Sequence, residues 1–494
     1  MNTFFTSLLL TLVTIVPLSA AVEPDVLIYR ATPAGIAAAI AADQSGSRVM
    51  IIEPTAHVGG MMTSGGLVVS DVGHFPGIGG ISRDFFRRIQ AYYDETYGKD
   101  SPQAKTASLW NKPGTVYEPK VGEKVFQQML SEHPGIQIKF KQDLKSVERE
   151  RMRIAAVTTQ PDGMTYRAKV FIDASYTGDL LAMAGASHRI GRDARSRYNE
   201  TLATTDEDNS DIQASNYRMT TTNVPENRVP ITKPDDYNPE LYRWWLDLMR
   251  KETEPKLWGK IFHDWWKLPN GKMDTNVADL PGLNHDYPTA TPERRREIEL
   301  AHRHYSLGFL YFLQNDPRVP ETIRKDAAGW GLPKDEFQDN GNFPREMYLR
   351  ESRRLVGEYV MTQNDAQTHK RKPDSIGLGT YSIDSHATTL RIGDDGTMHK
   401  SGFIYQDVTP YEIPYRALTP KRTELTNLLV PVCVSSSHVG FAGLRLEPTY
   451  MIMGEAAGVA AHLAAKNHSA VQDVDIAELQ ERLQARKVIL KIPQ

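Results

Sequence analysis

Residues 25–70 constrain the fold of this chain more than any other segment. An apolar strand at 26–29 is followed by Thr32 at a helix N-cap position and by Pro33 at the first helical position, where a missing N–H costs nothing. A helix of small residues and a second strand, 49–52, come next. This order of strand, loop, helix and strand predicts a βαβ unit whose helix N-terminus binds the pyrophosphate of a dinucleotide.

The loop departs from the usual glycine fingerprint of such units. Arg30, Thr32 and Gly35 hold its three glycine positions, so only the last glycine is retained. Glu53 ends the second strand at the distance expected for a carboxylate that binds a ribose hydroxyl. A glycine-rich segment follows at 57–66, as close approach of backbone to a flat ligand requires. The cofactor-binding residues predicted here are Thr32, Pro33, Ala34, Gly35, Glu53, Pro54, Gly59, Gly60, Met61 and Thr63.

Ordered sequence blocks continue along nearly the whole chain. They are YRATPAGIAAA, EPTAHVGGMMTSGG, YEPKVGEKVF, FIDASYTGDLLAMAG, LPNGKMDTN, PREMYLRESRRLVGEYVMTQND, GLGTYSIDSH and NLLVPVCVSSSHVGFAGLRLEPTYMIMGEAAG. Through these blocks the chain resembles the exported FAD-dependent oxidoreductases that are often labelled xanthan-lyase-like. The resemblance implies an α/β fold, namely an FAD-binding Rossmann-like domain of the glutathione-reductase type with an inserted α+β substrate domain. It implies FAD as the cofactor, with further contacts from Asp173, Ala174, Gly178, Arg445, Glu447 and Pro448.

Length and composition limit the class of protein. The 494 residues exceed what one core usually supports, so we expect more than one domain. A net charge of -3 without a basic patch gives no indication of a nucleic-acid partner. The single cysteine, Cys433, excludes an intrachain disulfide, a redox-active cysteine pair and a conventional cysteine-ligated iron–sulfur cluster.

The N-terminus and the remaining segments suggest the following organisation. Residues 4–21 are an apolar run closed by small residues, which predicts a signal peptide, export to the periplasm or medium, and no stable membrane span once it is removed. The predicted parts are a signal peptide (1–21), the first part of the FAD-binding domain (22–190), a substrate or cap domain (191–415) and the C-terminal part of the FAD-binding domain (416–494). Predicted elements include helices at 81–98, 117–130 and 345–361, strands within 136–176, a strand pair turning at 394–396, a strand at 428–434 and a helix opening at Glu447.

Aromatic residues are concentrated in the predicted insert. Five of the seven tryptophans lie there, namely Trp244, Trp245, Trp258, Trp265 and Trp266. Such clusters form stacking platforms for sugar rings in some proteins, but more often they belong to a core, and we favour the core interpretation.

Two histidines are the catalytic candidates. His438 is the first choice as a proton acceptor, because the loop SSSHVGFAGLR leads into the last helix. His386 is the second, with Asp384 as its orienting carboxylate. Each ring has a structural alternative: for His438 it is a hydrogen bond to loop backbone, and for His386 it is the capping of a strand. No metal site is predicted, since His302 and His304 are two residues apart and so lie on different helical faces.

The function that we favour from the sequence is an exported FAD-dependent oxidoreductase. It would transfer hydride from a small-molecule or carbohydrate-related substrate to the flavin, with an electron acceptor that the sequence does not identify. Two alternatives stay open. One is a polysaccharide lyase or hydrolase whose flavin takes no part in net redox chemistry, and the other is a non-catalytic carbohydrate-binding protein that has lost FAD through Arg30.

Overall fold

A computed structural model describes residues 23–251, 266–276, 278–393, 398–408 and 410–492. The predicted signal peptide, Trp258, Trp265 and the predicted turn at 394–396 lie outside these residues. Among the helices within them, none combines the length and apolar character that a bilayer crossing requires.

The described residues form many short strands and a smaller number of helices. The strands are β1 (Val26–Tyr29), β2 (Val49–Glu53), β3 (Ile136–Phe140), β4 (Asp143–Glu150), β5 (Arg153–Gln160), β6 (Thr165–Tyr166), β7 (Val170–Asp173), β8 (His188–Ile190), β9 (Met219–Thr222), β10 (Arg228–Val229), β11 (Lys267–Leu268), β12 (Lys272–Thr275), β13 (Leu332–Pro333), β14 (Arg353–Leu355), β15 (Ser375–Gly379), β16 (Ile383–Ser385), β17 (Thr389–Ile392), β18 (Met398–Ser401), β19 (Ile404–Gln406), β20 (Tyr411–Pro414) and β21 (Leu428–Leu429). The α-helices are α1 (Pro33–Gln44), α2 (Gly80–Tyr97), α3 (Pro102–Ala107), α4 (Pro119–Ser131), α5 (Asp179–Met183), α6 (Arg195–Tyr198), α7 (Arg243–Lys251), α8 (Pro292–Asn315), α9 (Glu321–Ala327), α10 (Gln363–Gln367), α11 (His438–Leu444), α12 (Glu447–Asn467) and α13 (Ile476–Ala485).

A parallel sheet in the order β21-β7-β1-β2-β3 lies at the centre of the fold. Its inner strands β1, β2 and β7 are buried along their whole length, which parallel strands covered on both faces require. The carboxyl ends of these three strands therefore meet at one edge. The sheet and its crossover helix α1 confirm the predicted Rossmann-like α/β fold, and β21 brings the C-terminal part of the chain into the same sheet.

Helix α12 packs on α1 at backbone distance. A Cβ added to Gly454 would lie 2.2 Å from the carbonyl oxygen of Ala34, and one added to Gly458 would lie 2.2 Å from that of Ala38. Any side chain at these two glycines would separate the helices. The small-residue pattern of the C-terminal segment therefore serves close packing of two helices, one from each end of the chain.

The segments between these parts form smaller antiparallel units. Strands β4, β5 and β6 make one three-stranded sheet, as expected for 136–176, and Asp162 supports its hairpin by accepting a hydrogen bond from the Met164 N–H (3.0 Å). Trp245 is 6% exposed and lies 4.7 Å from the Phe309 ring on α8, with Trp244 edge-on against it. These two tryptophans therefore belong to the core of the insert.

Residues 345–361 do not form the predicted helix. The segment runs extended, and β14 within it pairs antiparallel with β8. Charged side chains of this segment are buried, Arg350 and Arg354 among them. Their partners come from distant parts of the chain, since Arg350 Nη1 donates to the Ala214 carbonyl (2.6 Å) and Arg354 Nη2 to Asp193 (2.9 Å). Extended backbone places such residues on both of its faces.

The C-terminal segment also differs in detail from its prediction. The strand predicted at 428–434 is limited to Leu428–Leu429, and Pro431 cannot donate to a sheet ladder. His438 is the first residue of α11 and not part of a loop, because the Ser437 hydroxyl caps that helix by accepting the Gly440 N–H (2.9 Å). The helix predicted to open at Glu447 is confirmed as α12.

Candidate active site

A cavity of about 300 Å³ opens at the carboxyl ends of β1, β2 and β7. Its walls include Tyr29 and Arg30 after β1, Pro54 and Thr55 after β2, and Tyr176 after β7. Open α/β sheets bind their ligands at this edge, beside the N-terminus of the crossover helix. The position of the cavity is therefore the one that the sequence predicts for a dinucleotide.

The loop between β1 and α1 has the conformation of a glycine fingerprint without two of its glycines. Thr32 caps α1 by accepting the Gly35 N–H (3.2 Å) and donates its hydroxyl proton to the Ala174 carbonyl (2.8 Å). A Cβ on Gly35 would fall 2.1 Å from the carbonyl oxygen of Arg30, so this position admits only glycine. Arg30 itself has φ +80, a left-handed value that costs a non-glycine residue about 1–2 kcal/mol.

The side chain of Arg30 lies among carboxylates at the cavity wall. Its guanidinium is 3.3 Å from Glu53 and 3.0 Å from Glu346. Burial alone would lower the pKa of Arg30, but these two carboxylates hold it above its usual value. Arg30 is therefore a fixed cation beside the start of α1, where a pyrophosphate would add negative charge.

Glu53 is buried and stabilises the loop. Its carboxylate accepts the N–H of Ala31 (2.8 Å) and that of Thr55 (2.8 Å), in addition to the contact from Arg30. A carboxylate has about four acceptor positions, so these three donors leave room for a ribose hydroxyl. Pro54 and Thr55 continue from Glu53 into the cavity wall.

The glycine-rich loop at 57–66 packs against the turn that follows β7. Gly59 (φ +93) and Gly60 (φ +45) adopt left-handed conformations, and a Cβ on Gly60 would lie 2.7 Å from the Tyr176 hydroxyl. That hydroxyl accepts the Met61 N–H (3.0 Å), and Met61 also lines the cavity. Thr63 closes the loop by donating to the Val58 carbonyl (2.6 Å).

The predicted contacts after β7 organise this turn. Asp173 accepts the N–H groups of Ser175 (3.0 Å) and Leu181 (2.8 Å), and burial raises its pKa to about 6. Gly178 is left-handed (φ +65) and donates its N–H to the Ser175 hydroxyl (2.9 Å). Asp173, Ala174 and Gly178 do not line the cavity themselves, so they shape its wall through the residues that follow them.

The start of α12 brings two charged residues to the interior. Arg445 donates from Nε (3.0 Å) and Nη2 (2.8 Å) to the Asp384 carbonyl oxygen. Glu447 is 3% exposed, and burial raises its pKa to about 8. Within the described part of the chain its Oε2 atom has no hydrogen-bond partner. Pro448 occupies the first turn, where its missing N–H costs nothing.

His438 is completely enclosed. Its Nδ1 accepts the Asp193 N–H (3.0 Å), and its own backbone N–H is bound by the Asp193 carboxylate (2.8 Å). Burial lowers the pKa of His438, so the ring is neutral at pH 7. A ring fixed in this way is enclosed by protein, and a role in proton transfer stays a prediction.

His386 has the geometry of an oriented base. Its Nδ1 is 2.6 Å from Asp279 Oδ2, and its side chain is about a quarter exposed. Asp279 also lies 3.0 Å from Arg350 Nη1. Burial alone would raise the pKa of Asp279, but Arg350 and His386 hold it below its usual value. The orienting carboxylate is therefore Asp279 and not Asp384, which is bound on the other side by Arg445.

A chain of contacts connects this pair with the start of α12. Tyr348 lies under the guanidinium of Arg350 (4.7 Å to the ring centroid), and Arg445 Nη1 is 3.4 Å from the Tyr348 hydroxyl. Sequence analysis missed Tyr348, Arg350 and Asp279. Tyr348 and Arg350 lie in the block at 345–361, and its assignment to a helix did not indicate their contacts with distant segments. No motif of the sequence marked Asp279.

One further acidic cluster contains its own cation. Glu118, Asp335 and Glu336 gather around the fully buried Lys272, whose Nζ is 2.6–2.8 Å from an oxygen of each. Burial raises the pKa of Glu336 to about 7, partly offset by Lys272. The ammonium group thus takes the place that a metal ion would need.

Comparison with known proteins decides the assignment. The family model for FAD dependent oxidoreductases matches residues 25–483, nearly the whole chain. The chain belongs to the FAD dependent oxidoreductase family. This flavoprotein is therefore an FAD-dependent oxidoreductase, with FAD as its cofactor. A search of curated proteins found no match to it.

Solved structures resemble parts of the flavoprotein only. Anhydrotetracycline hydroxylase OxyS from Streptomyces rimosus has 14% identity and a TM-score of 0.24 over 35% of this chain and 36% of its own. The p-nitrophenol 4-monooxygenase PnpA from Pseudomonas putida has 13% identity and a TM-score of 0.23, over 34% of this chain and 45% of its own. Thioredoxin reductase from T. acidophilum has 21% identity and a TM-score of 0.19, over 36% and 40%. The chain thus spans less than half of each, and the assignment rests on the family match.

The residues present fit FAD. The capped start of α1, the glycine at position 35 and the carboxylate of Glu53 suit the adenosine diphosphate half. Two buried polar atoms of the described residues, Ser64 Oγ and Glu447 Oε2, have no partner. The Ser64 carbonyl accepts the backbone N–H of Glu346 (3.2 Å), and Glu447 lies beside Tyr176. Both of these neighbours line the cavity. Such unpaired buried groups suit the polar edge of a flavin ring.

Proposed function

We propose that this flavoprotein is exported and oxidises an alcohol-type carbon of a carbohydrate-related substrate. Its FAD, when bound, supplies the two-electron acceptor. The observation that carries the proposal is the His386–Asp279 pair, because removal of hydride from an alcohol also requires a base for the hydroxyl proton. Export is supported by the apolar run at residues 4–21, and the carbohydrate class by the resemblance of the sequence blocks.

In this proposal His386 accepts the hydroxyl proton at the ring nitrogen that Asp279 does not bind. Burial, followed by the charge of Arg350, lowers the pKa of His386, so the resting ring is neutral and able to accept a proton. Asp279 holds the ring orientation and stabilises the positive charge that the ring gains. Arg350, on the other side of Asp279, keeps that carboxylate ionised.

Polar groups beside the pair suit a hydroxylated substrate. The contacts between this pair and the start of α12 involve three polar groups, namely the Tyr348 hydroxyl, the Arg445 guanidinium and the Asp384 carboxylate. Hydrogen-bonding groups of both polarities are what a sugar hydroxyl array requires.

The test uses the mature, FAD-loaded protein under anaerobic conditions. Neutral sugars, uronic acids and simple alcohols are added in turn, and flavin absorbance is followed while the products are analysed by mass spectrometry. Bleaching of the flavin with loss of two hydrogens from a sugar supports the proposal. Cleavage of a glycosidic bond without net oxidation would instead favour the lyase or hydrolase alternative. Export is checked separately by fractionating cells that express the full chain.

A further inference from the structure

Arg192 is a buried cation without an anion. Its side chain is 2% exposed, and only Nη2 is used, donating to the Ser385 hydroxyl (2.8 Å) and the Gly402 carbonyl (3.0 Å). In the described part of the chain, Nε and Nη1 have no acceptor, and no carboxylate pairs with this guanidinium. Burial lowers the pKa of Arg192. A buried guanidinium that lacks both a counter-charge and three of its five hydrogen bonds is expensive unless a ligand supplies them.

Two further donors without acceptors lie beside it. Gln213 accepts the His386 N–H through Oε1 (3.1 Å), which leaves its Nε2 without a partner. His438 accepts a backbone N–H at Nδ1, so the neutral ring carries its proton on Nε2, and that atom also has no partner. Arg192 and Gln213 both contact residue 386, and the residue after Arg192 holds His438.

The neighbouring carboxylates are already committed. Asp193 binds Arg354 (2.9 Å) and Arg189 (2.5 Å), and Glu351 binds Arg354 (2.5 Å) and the Gln213 N–H (3.2 Å). Glu200 has one oxygen without a partner, and burial raises its pKa, which disfavours its charged form. The carboxylates that stabilise the charge of Arg192, Glu351, Asp211 and Asp193, act on it without a direct ion pair, and the unpaired groups next to it are donors.

We propose that Arg192, Gln213 and His438 form a binding site for a small monovalent anion of the halide class. The unpaired atoms of these three side chains are all donors, which suits an anion, and their burial limits the ligand to a few atoms. An anion here would also brace the end of β16, because Arg192 donates to the Ser385 hydroxyl and the His386 carbonyl, and Gln213 accepts the His386 N–H. The site is independent of the substrate proposed above.

The test measures thermal unfolding of the FAD-loaded protein while bromide replaces gluconate at constant ionic strength. The wild-type melting temperature is expected to rise with bromide and to saturate. Gln213→Glu keeps the acceptor for the His386 N–H and puts a carboxylate where the anion would lie. This variant should lose most of the bromide response, with an apparent affinity at least tenfold weaker. Arg486→Met, which removes a half-buried arginine elsewhere, should respond as the wild type does.

Crystals grown in bromide provide a second readout that does not depend on any variant. An anomalous peak beside Arg192 Nε or Nη1 in the wild type, and its absence in Gln213→Glu, supports the site. The proposal is wrong if the wild-type protein shows neither a bromide-specific rise in melting temperature nor an anomalous peak. In that case water occupies this position. An equal bromide response in wild type and Gln213→Glu overturns it as well.

Discussion

His386 Nδ1 lies 2.6 Å from Asp279 Oδ2, although the two residues are 107 positions apart in the chain. The carboxylate fixes both the tautomer and the orientation of the ring, and leaves the second ring nitrogen available to a substrate. His438, in contrast, uses Nδ1 to bind backbone and is fully enclosed. The geometry thus favours His386 over His438 as the base, the reverse of the ranking from sequence.

We expect His386→Ala to slow substrate-driven flavin reduction by about 10²–10⁴-fold, the usual contribution of a general base. FAD should stay bound, because no contact of His386 reaches the loop that begins α1. The measurement is anaerobic stopped-flow reduction with the substrate found in the screen. His438→Ala is the comparison. If that variant is slow and His386→Ala reduces at the wild-type rate, the base is His438.

At Arg30, two substitutions separate backbone strain from charge. Arg30→Ala removes the guanidinium but keeps a side chain at φ +80, whereas Arg30→Gly removes both. We expect the glycine variant to be the more stable of the two by about 1 kcal/mol, measured by chemical unfolding. FAD affinity of Arg30→Gly should equal or exceed that of the wild type. A large loss of affinity would mean that the guanidinium itself holds the pyrophosphate.

Replacement of Glu53 should weaken FAD through the loop and the ribose together. Glu53→Ala leaves the N–H groups of Ala31 and Thr55 without their acceptor, and we expect FAD affinity to fall by about 1.5–3 kcal/mol. Glu53→Gln keeps one acceptor oxygen and should lose less. Titration of the apoprotein with FAD measures both. Unchanged affinity in the two variants would restrict Glu53 to a role in stability.

Glu447 should make stability depend on pH. Its pKa is raised to about 8 in the folded protein, above its unfolded value, so folding takes up a proton between these two values. Stability therefore falls as pH rises from about 5 to 8, by at most about 1.4 kcal/mol per pH unit for one such group. Glu447→Gln should flatten this decline in unfolding curves of the apoprotein. A decline of unchanged slope would assign the effect to other buried carboxyls, such as Glu455, whose pKa is also raised by burial.

Sequence predicted the βαβ unit at the start of the chain better than the contacts around Asp279 and the segment at 345–361. Thr32, Gly35 and Glu53 act within a continuous local pattern, in which the roles of cap, close approach and carboxylate follow from spacing. Asp279 and Arg350 depend on contacts between distant segments, which no local period reports. The segment at 345–361 was assigned wrongly for the same reason, because its charged residues are paired inside the protein and a sequence pattern assumes that charges face water.

The contact of Gly454 and Gly458 with Ala34 and Ala38 has a consequence for biosynthesis. The ribosome releases α1 long before the helix that covers it, and β21 joins the sheet only shortly before that helix is made. Until then the alanine-rich face of α1 has no partner, and contacts so distant in sequence form late in folding. We therefore expect a nascent chain that does not yet extend to about residue 467 to need chaperone protection, and the parallel sheet with α1 to mature only after α12 has been synthesised.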